Sequence, residues 1–191
     1  MVLRNDERRV VAYHEAGHAI VHLQMESLPP LHKVSIIPRG NALGTTTALP
    51  REDQHIHSKR FLLEQLAVLM GGRAAENVFL GDMTNGANGD LDSAKNISRK
   101  MIHDWGMGQR LYYEPNKDDA EREINLLLAN AYKQAEDFIV KYRVETEKLA
   151  EQLLIEETFT REEVLQLFER HPAQSQASDP AESEMETATV V

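Results

Sequence analysis

His14, Glu15 and His18 stand in the order His-Glu-Ala-Gly-His within the apolar run VVAYHEAGHAIVHL. If that run is helical, imidazoles four residues apart project from one face and can reach a single metal ion, with the glutamate beside it. That is the ligand geometry of a zinc hydrolase. The glutamate then acts as general base on a water at an open coordination position, once a third protein ligand is supplied. Two histidines at this spacing also arise as an ordinary polar stripe, so the pattern becomes specific only in the right surroundings.

The third ligand must come from a different element. The chain has no cysteine, which leaves His, Asp or Glu. His22 continues the i, i+4 series, but one more turn of a straight helix carries it too far from a metal seated between the first two rings. Nothing singles out His32, His55, His57 or His103, which read as exposed or as members of polar networks. Glu76, in GGRAAE on a second helix, matches a known solution for zinc peptidases; its competing role is an i, i+3 ion pair with Arg73. Asp90 sits where a Gly/Asn-rich loop meets a helix and can be swung onto a metal held elsewhere; its competing role is plain N-capping. Residue types and spacing leave Glu76 and Asp90 level.

These side chains need a frame. Apolar positions Val10, Val11, Tyr13, Ala16, Ala19, Ile20 and Leu23 predict a core helix from about Asp6 to Met25, stopped by Pro29 and Pro30. Short strands are predicted at Lys33 to Ile37 and at Ala42 to Leu49, joined through Pro38-Arg-Gly-Asn as a hairpin. A helix follows from Ser58 to about Phe79, containing Gly71-Gly72. Two glycines there cost roughly 1 kcal/mol each against alanine, which points to a place where another backbone packs close. The loop from Gly81 feeds a helix from Asp90 to about Trp105. Asp118 to Glu156 runs without glycine or proline at helical spacing, as one long helix or two nearly collinear ones. Thr160 with Glu163 forms a capping box for a last helix to about Arg170. The tail beyond His171 is acidic, has almost nothing apolar to bury, and reads as disordered. The fold class is therefore mainly α, with a small β-sheet or hairpin near the histidine helix and a long C-terminal helix. Residues 1–171 form one domain and residues 172–191 the tail.

A chain of 191 residues, 41% apolar and 27% charged, supports one ordinary core. With 21 basic against 31 acidic residues and a formal charge of -10, it has no basic cluster to follow a phosphate backbone, so nucleic acid is not an expected partner. No window reaches the roughly 20 apolar residues of a membrane helix, and the first residues have no signal-peptide core, so no direct membrane insertion is expected. No glycine heads a GxxxxGK[ST] loop, which removes nucleotide hydrolysis from the chain's own chemistry.

The strings VAYHEAGHAIV, HKVSIIPRGNALG, LAVLMGGRAAE, TNGANGDLDSA and the Gly-Met at 106–107 resemble, in order and spacing, the proteolytic domain of the FtsH family of membrane-anchored, ATP-dependent zinc metalloproteases. AYKQAEDFIVKYRVETEKLAEQLL is similar to that family's long C-terminal helix. The resemblance implies zinc held by His14, His18 and Asp90, with Glu15 as catalytic base and Glu76 behind a histidine ring. It implies polypeptide substrates, unfolded or misassembled, fed by an AAA+ ATPase module absent from this chain. It also implies a homo-hexamer, anchored in the inner membrane with the protease domain on the cytoplasmic, matrix or stromal side. Two residues depart from the family's pattern around the aspartate: Asn85 stands in place of a second threonine and Gly89 in place of asparagine. Both bear on loop rigidity. The connection after Met107 is shortened to about ten residues, which bears on subunit contacts. The missing motor and anchor make the chain either an excised domain or a stand-alone relative.

The activity so implied is hydrolysis of peptide bonds, falling in mild acid as His14 and His18 protonate. The strand from Ala42 to Leu49 offers an edge to which an extended substrate could add. The alternative function is a catalytically idle, ring-forming assembly module with structural or no zinc.

Overall fold

The helix that carries the two histidines, α1, spans Asn5–His22, and every residue in it from Val11 onward is buried. The computed structural model describes residues 3–38, 43–48, 56–113 and, for the backbone, 118–169. Ala12, Ala16 and Ala19 on α1 are fully enclosed, and their small side chains let neighbouring elements approach it from several sides. At its start the Arg4 amide donates to Glu7 Oε2 at 2.9 Å, and Asp6 and Glu7 suit the positive end of the helix dipole. The helix stops at His22, well before the prolines expected to end it. Leu23, Gln24 and Met25 close it with amide bonds back to Ala19, Val21 and His22. The buried His22 then donates Nε2–H to the Pro29 carbonyl at 2.7 Å, which pins the returning chain.

α2 spans Lys59–Leu80, with the Ser58 hydroxyl accepting from the Phe61 amide at its start and Gly81, at φ +66°, ending it. Gly71-Gly72 does not break it. Gly71 lies against Gly17 of α1, so close that a Cβ on Gly71 would stand 2.8 Å from the Gly17 carbonyl oxygen, and a Cβ on Gly17 would strike the Gly71 carbonyl. The expected close packing is therefore present, and it is the crossing that brings α1 and α2 within side-chain reach of one another.

β1 (Leu31–Ser35), β2 (Thr45–Ala48) and β3 (Thr158–Thr160) form an antiparallel sheet in the order β2-β1-β3. The expected pairing of the first two strands is present, with Val34 opposite Thr46, although both are displaced from or shorter than the predicted spans; residues 39–42 and 49–55 lie outside the described residues. β3 was not foreseen, because three residues between two helices carry no periodicity of their own. It adds to the other side of β1, leaving β2 as an edge strand among the described residues.

α3 spans Asn88–Arg99 and continues through a π-helical turn at Lys100–Asp104. It begins two residues earlier than predicted, after a 3₁₀ turn at Asn85–Ala87. Asp90 is thus the third residue of the helix, and Ala87 occupies the capping position, so N-capping is not the role of Asp90. Of the two expected forms, one long helix or two, the chain has two, α4 (Asp118–Lys141) and α5 (Arg143–Glu156), divided at Tyr142 where the backbone leaves helical geometry at φ -107°, ψ 40°. α4 packs on α2, and α5 packs on α1. α6 (Arg161–Glu169) has the predicted capping box: the Thr160 amide donates to Glu163 Oε2 at 2.7 Å and the Glu163 amide to Thr160 Oγ1 at 3.4 Å.

A main core joins these elements, with a smaller cluster of Ile102, Tyr113, Ala120 and Ile124 beside it. Ile20 of α1, Leu66 of α2, Met101, Ile139 of α4, and Leu149 and Leu153 of α5 are wholly enclosed in the main core, each such side chain contributing about 1.5–3 kcal/mol by leaving water. The acidic tail lies outside the described residues.

Candidate metal centre

His14 and His18 emerge from α1 one turn apart with their rings edge to face, 4.6 Å between centroids. Each ring is fixed by a bond at Nδ1. The Nδ1 of His18 donates to the Val68 carbonyl of α2 at 2.7 Å, and that of His14 donates to Glu76 Oε1 at 2.6 Å. A carbonyl and a carboxylate only accept, so both Nδ1 atoms carry the hydrogen, and in the neutral rings both Nε2 atoms present lone pairs. Those lone pairs converge. The two Nε2 atoms are 3.0 Å apart, and Asp90 Oδ2 lies 3.2 Å from one and 3.3 Å from the other.

Three lone-pair atoms this close, with no hydrogen among them in the neutral tautomers, repel unless a cation sits between them. Two imidazoles and one carboxylate are a ligand set that zinc accepts, with room for a fourth position. The residues present therefore fit a zinc ion. Burial opposes a charged His14 ring, but its bonds to Asp90 and Glu76 outweigh that and raise its pKa to about 9. Asp90 is half-buried, which favours its neutral form, yet the two imidazoles hold its carboxyl well below the usual carboxylate range.

The sequence candidates thus separate in space. Asp90 meets both rings on the open side, together with the positive end of the α3 dipole. Glu76 is fully enclosed and stands behind His14, with its second oxygen, Oε2, accepting from the Thr84 amide at 2.7 Å. It therefore ties the first histidine to the loop that leads into Asp90. Its bonds to His14 and Thr84 outweigh its burial and keep it ionised. Of the remaining histidines, His22 is bonded to Pro29, His57 stacks on Phe61 at 4.4 Å between centroids, and His32 and His103 are exposed. None of these four joins the centre, and His55 and His171 lie outside the described residues.

Glu15 faces a cleft of about 860 Å³ that also exposes His14, His18 and Asp90, with Val10, Leu43, Val68 and Leu69 on its walls. Burial pushes the pKa of its carboxyl up, partly offset by His18 and by a bond from Thr46. Four further positions shape this centre, and sequence reasoning missed all of them but Gly72. Thr46 Oγ1 donates to Glu15 Oε2 at 2.7 Å, and Thr84 donates to Glu76. Gly72 gives the His14 ring its space, since a Cβ there would come within 2.6 Å of both ring nitrogens, and Gly44 does the same for the Glu15 carboxylate. The Gly71-Gly72 pair was a visible signal of close approach. The two threonines gave none, because their roles depend on partners brought near by the fold.

A model of peptidase family M41 matches residues 1–120. Among curated proteins the chain is similar to ATP-dependent zinc metalloprotease FtsH 2 of Methylacidiphilum infernorum, with 36% identity over 190 residues, 87% of this chain and 30% of that protein. It is also similar to ATP-dependent zinc metalloprotease FtsH of Borreliella burgdorferi, 36% identical over 191 residues (88% and 30%), and to that of Thermotoga maritima, 37% identical over 186 residues (85% and 30%). The chain spans about 30% of the length of these relatives.

Proposed function

The chain belongs to peptidase family M41, and from that premise we propose that it is a zinc-dependent endopeptidase domain, residues 1–171, in which His14, His18 and Asp90 hold the metal and Glu15 is the base. The observation that carries this reading is the convergence of His14 Nε2, His18 Nε2 and Asp90 Oδ2 beside the carboxylate of Glu15 in one open cleft. When bound there, zinc supplies a Lewis acid that polarises the scissile carbonyl and acidifies water. Glu15 takes the proton of the attacking water as the carbon–oxygen bond forms, then delivers it to the amine as the carbon–nitrogen bond breaks. Its raised pKa suits both halves of that exchange. Val68 and Glu76 keep the two rings in the tautomer that a metal needs.

The substrates are unfolded or misassembled polypeptides. The edge of β2 that is unpaired among the described residues, and that borders the cleft through Thr45 and Thr46, gives an extended chain main-chain partners with little demand on its sequence. An AAA+ ATPase module delivers them, in keeping with the words "ATP-dependent" in the relatives' names, and the domain works in a homo-hexamer. None of the described helices is long and apolar enough to cross a membrane, so attachment to an inner membrane would fall to another segment.

A ring-forming scaffold has no use for a buried glutamate aimed into the cleft, which disfavours the idle-module reading. The test is casein digestion by the zinc-loaded chain and its Glu15→Gln variant. The enzyme reading expects cleavage by the wild type and loss in the variant with zinc retained. A wild type that holds zinc yet cleaves neither casein nor short peptides would favour the scaffold.

A further inference from the structure

The two oxygens of Glu15 sit in different surroundings, one set by β2 and the other by Gly44, the residue just before it. Oε2 accepts from Thr46 Oγ1 at 2.7 Å, and the same hydroxyl lies 3.3 Å from the Glu15 main-chain oxygen. Oε1 faces Gly44, where an added Cβ would stand 2.6 Å away. Among the described residues no other group hydrogen-bonds the Glu15 side chain. A glutamate on a helix has three side-chain torsions, and a buried carboxylate without a donor is costly, so the Thr46 hydroxyl decides where this one points. Successive side chains of a strand alternate between faces, so Thr46, and not Thr45 or Thr47 beside it, is aimed at α1.

Resting on the reading of Glu15 as the base, we propose that Thr46 is a positioning residue: its hydroxyl anchors Oε2 so that Oε1 keeps its lone pairs for the proton of the attacking water. Gly44 leaves that oxygen unobstructed. Because the anchor lies on the edge strand, the element that receives the substrate backbone also aligns the base. Thr46 does not touch the reacting atoms.

The test compares the 191-residue chain with its Thr46→Val and Thr46→Ser variants, all loaded with zinc. Valine keeps the shape and strand propensity of threonine without the hydroxyl, and serine restores the hydroxyl. Zinc content should be equal in all three. With a short fluorogenic peptide, kcat should fall about tenfold in Thr46→Val, as expected for losing a hydrogen bond to a charged group, with KM little changed and recovery in Thr46→Ser. Crystal structures of the same proteins supply a readout independent of turnover: the Glu15 carboxylate should keep its place in the wild type and Thr46→Ser and turn away in Thr46→Val. A Glu15 that holds its orientation in Thr46→Val, or an unchanged kcat there, overturns the proposal. A rise in KM alone overturns it too, because it would place Thr46 in substrate pairing only. An inactive wild type would instead refute the endopeptidase reading, and the Glu15 orientation would still decide the role of Thr46.

Discussion

Glu76 holds His14 from behind, its Oε1 accepting the ring's Nδ1–H at 2.6 Å inside the fold, on the side away from the point where the three ligand atoms meet. The carboxylate orients the ring, and in the proposed zinc site it would strengthen the other nitrogen as a donor to metal without itself being a ligand. Glu76→Ala should therefore weaken zinc binding by about 10–100-fold while leaving a binding site in place. Competition with a chromophoric chelator measures this. An affinity equal to wild type would remove Glu76 from the support of His14.

The contact of Gly17 with Gly71 sets the distance between the helices that bear His14 and Glu76. Gly71→Ala would place a methyl group 2.8 Å from the Gly17 carbonyl oxygen, where only backbone could yield. The expected cost is about 1–3 kcal/mol of stability, the range for forcing atoms into a packed core. Urea unfolding of the metal-free protein checks it, and no loss of stability would show that the crossing is looser than described. Gly72→Ala should differ in kind: its methyl group meets the His14 ring, so zinc affinity should fall more than stability does.

Outside the metal centre, Glu64 of α2 is enclosed beneath the turn that follows α1. It accepts from the Ser27 amide at 2.7 Å and from Arg60 Nε at 2.8 Å. Burial alone would raise its pKa, but these donors prevail and lower it below 4.5. A carboxylate with a lowered folded pKa adds stability that is present above its unfolded pKa and lost as pH falls through the folded value. Wild type should thus be more stable than Glu64→Gln at neutral pH, and the difference should shrink below about pH 4.5. Thermal unfolding across that range is the measurement. A gap that does not change with pH would mean that the charge of Glu64 contributes nothing.

Much of this architecture was legible in residue order because it rests on local signals. The helical spacing around His14 and His18, the close packing at Gly71-Gly72 and the Thr160–Glu163 box each depend on residues near one another in the chain, and all three are present. The end of α1 was misplaced because the turn of Leu23, Gln24 and Met25 closes it and a bond from His22 to Pro29 pins the chain beyond, neither of which a reading of prolines as breakers can see. β3 escaped because its only reason to be extended is the free edge of β1, more than a hundred residues away. The choice between Glu76 and Asp90 stayed open on spacing for the same reason: both lie on helices, and only the packing of α2 against α1 on one side and α3 on the other decides which carboxylate stands behind a ring and which stands before both. The resemblance to the FtsH family pointed to Asp90, the residue that lies before both rings.

The ligand assignment is tested most directly by the zinc content of the purified, zinc-loaded and desalted chain, wild type beside Asp90→Ala and Glu76→Ala, measured by elemental mass spectrometry. About one zinc per chain is expected in the wild type, with loss of it in Asp90→Ala and retention at high protein concentration in Glu76→Ala. Zinc retained by Asp90→Ala and lost from Glu76→Ala alone would contradict the assignment.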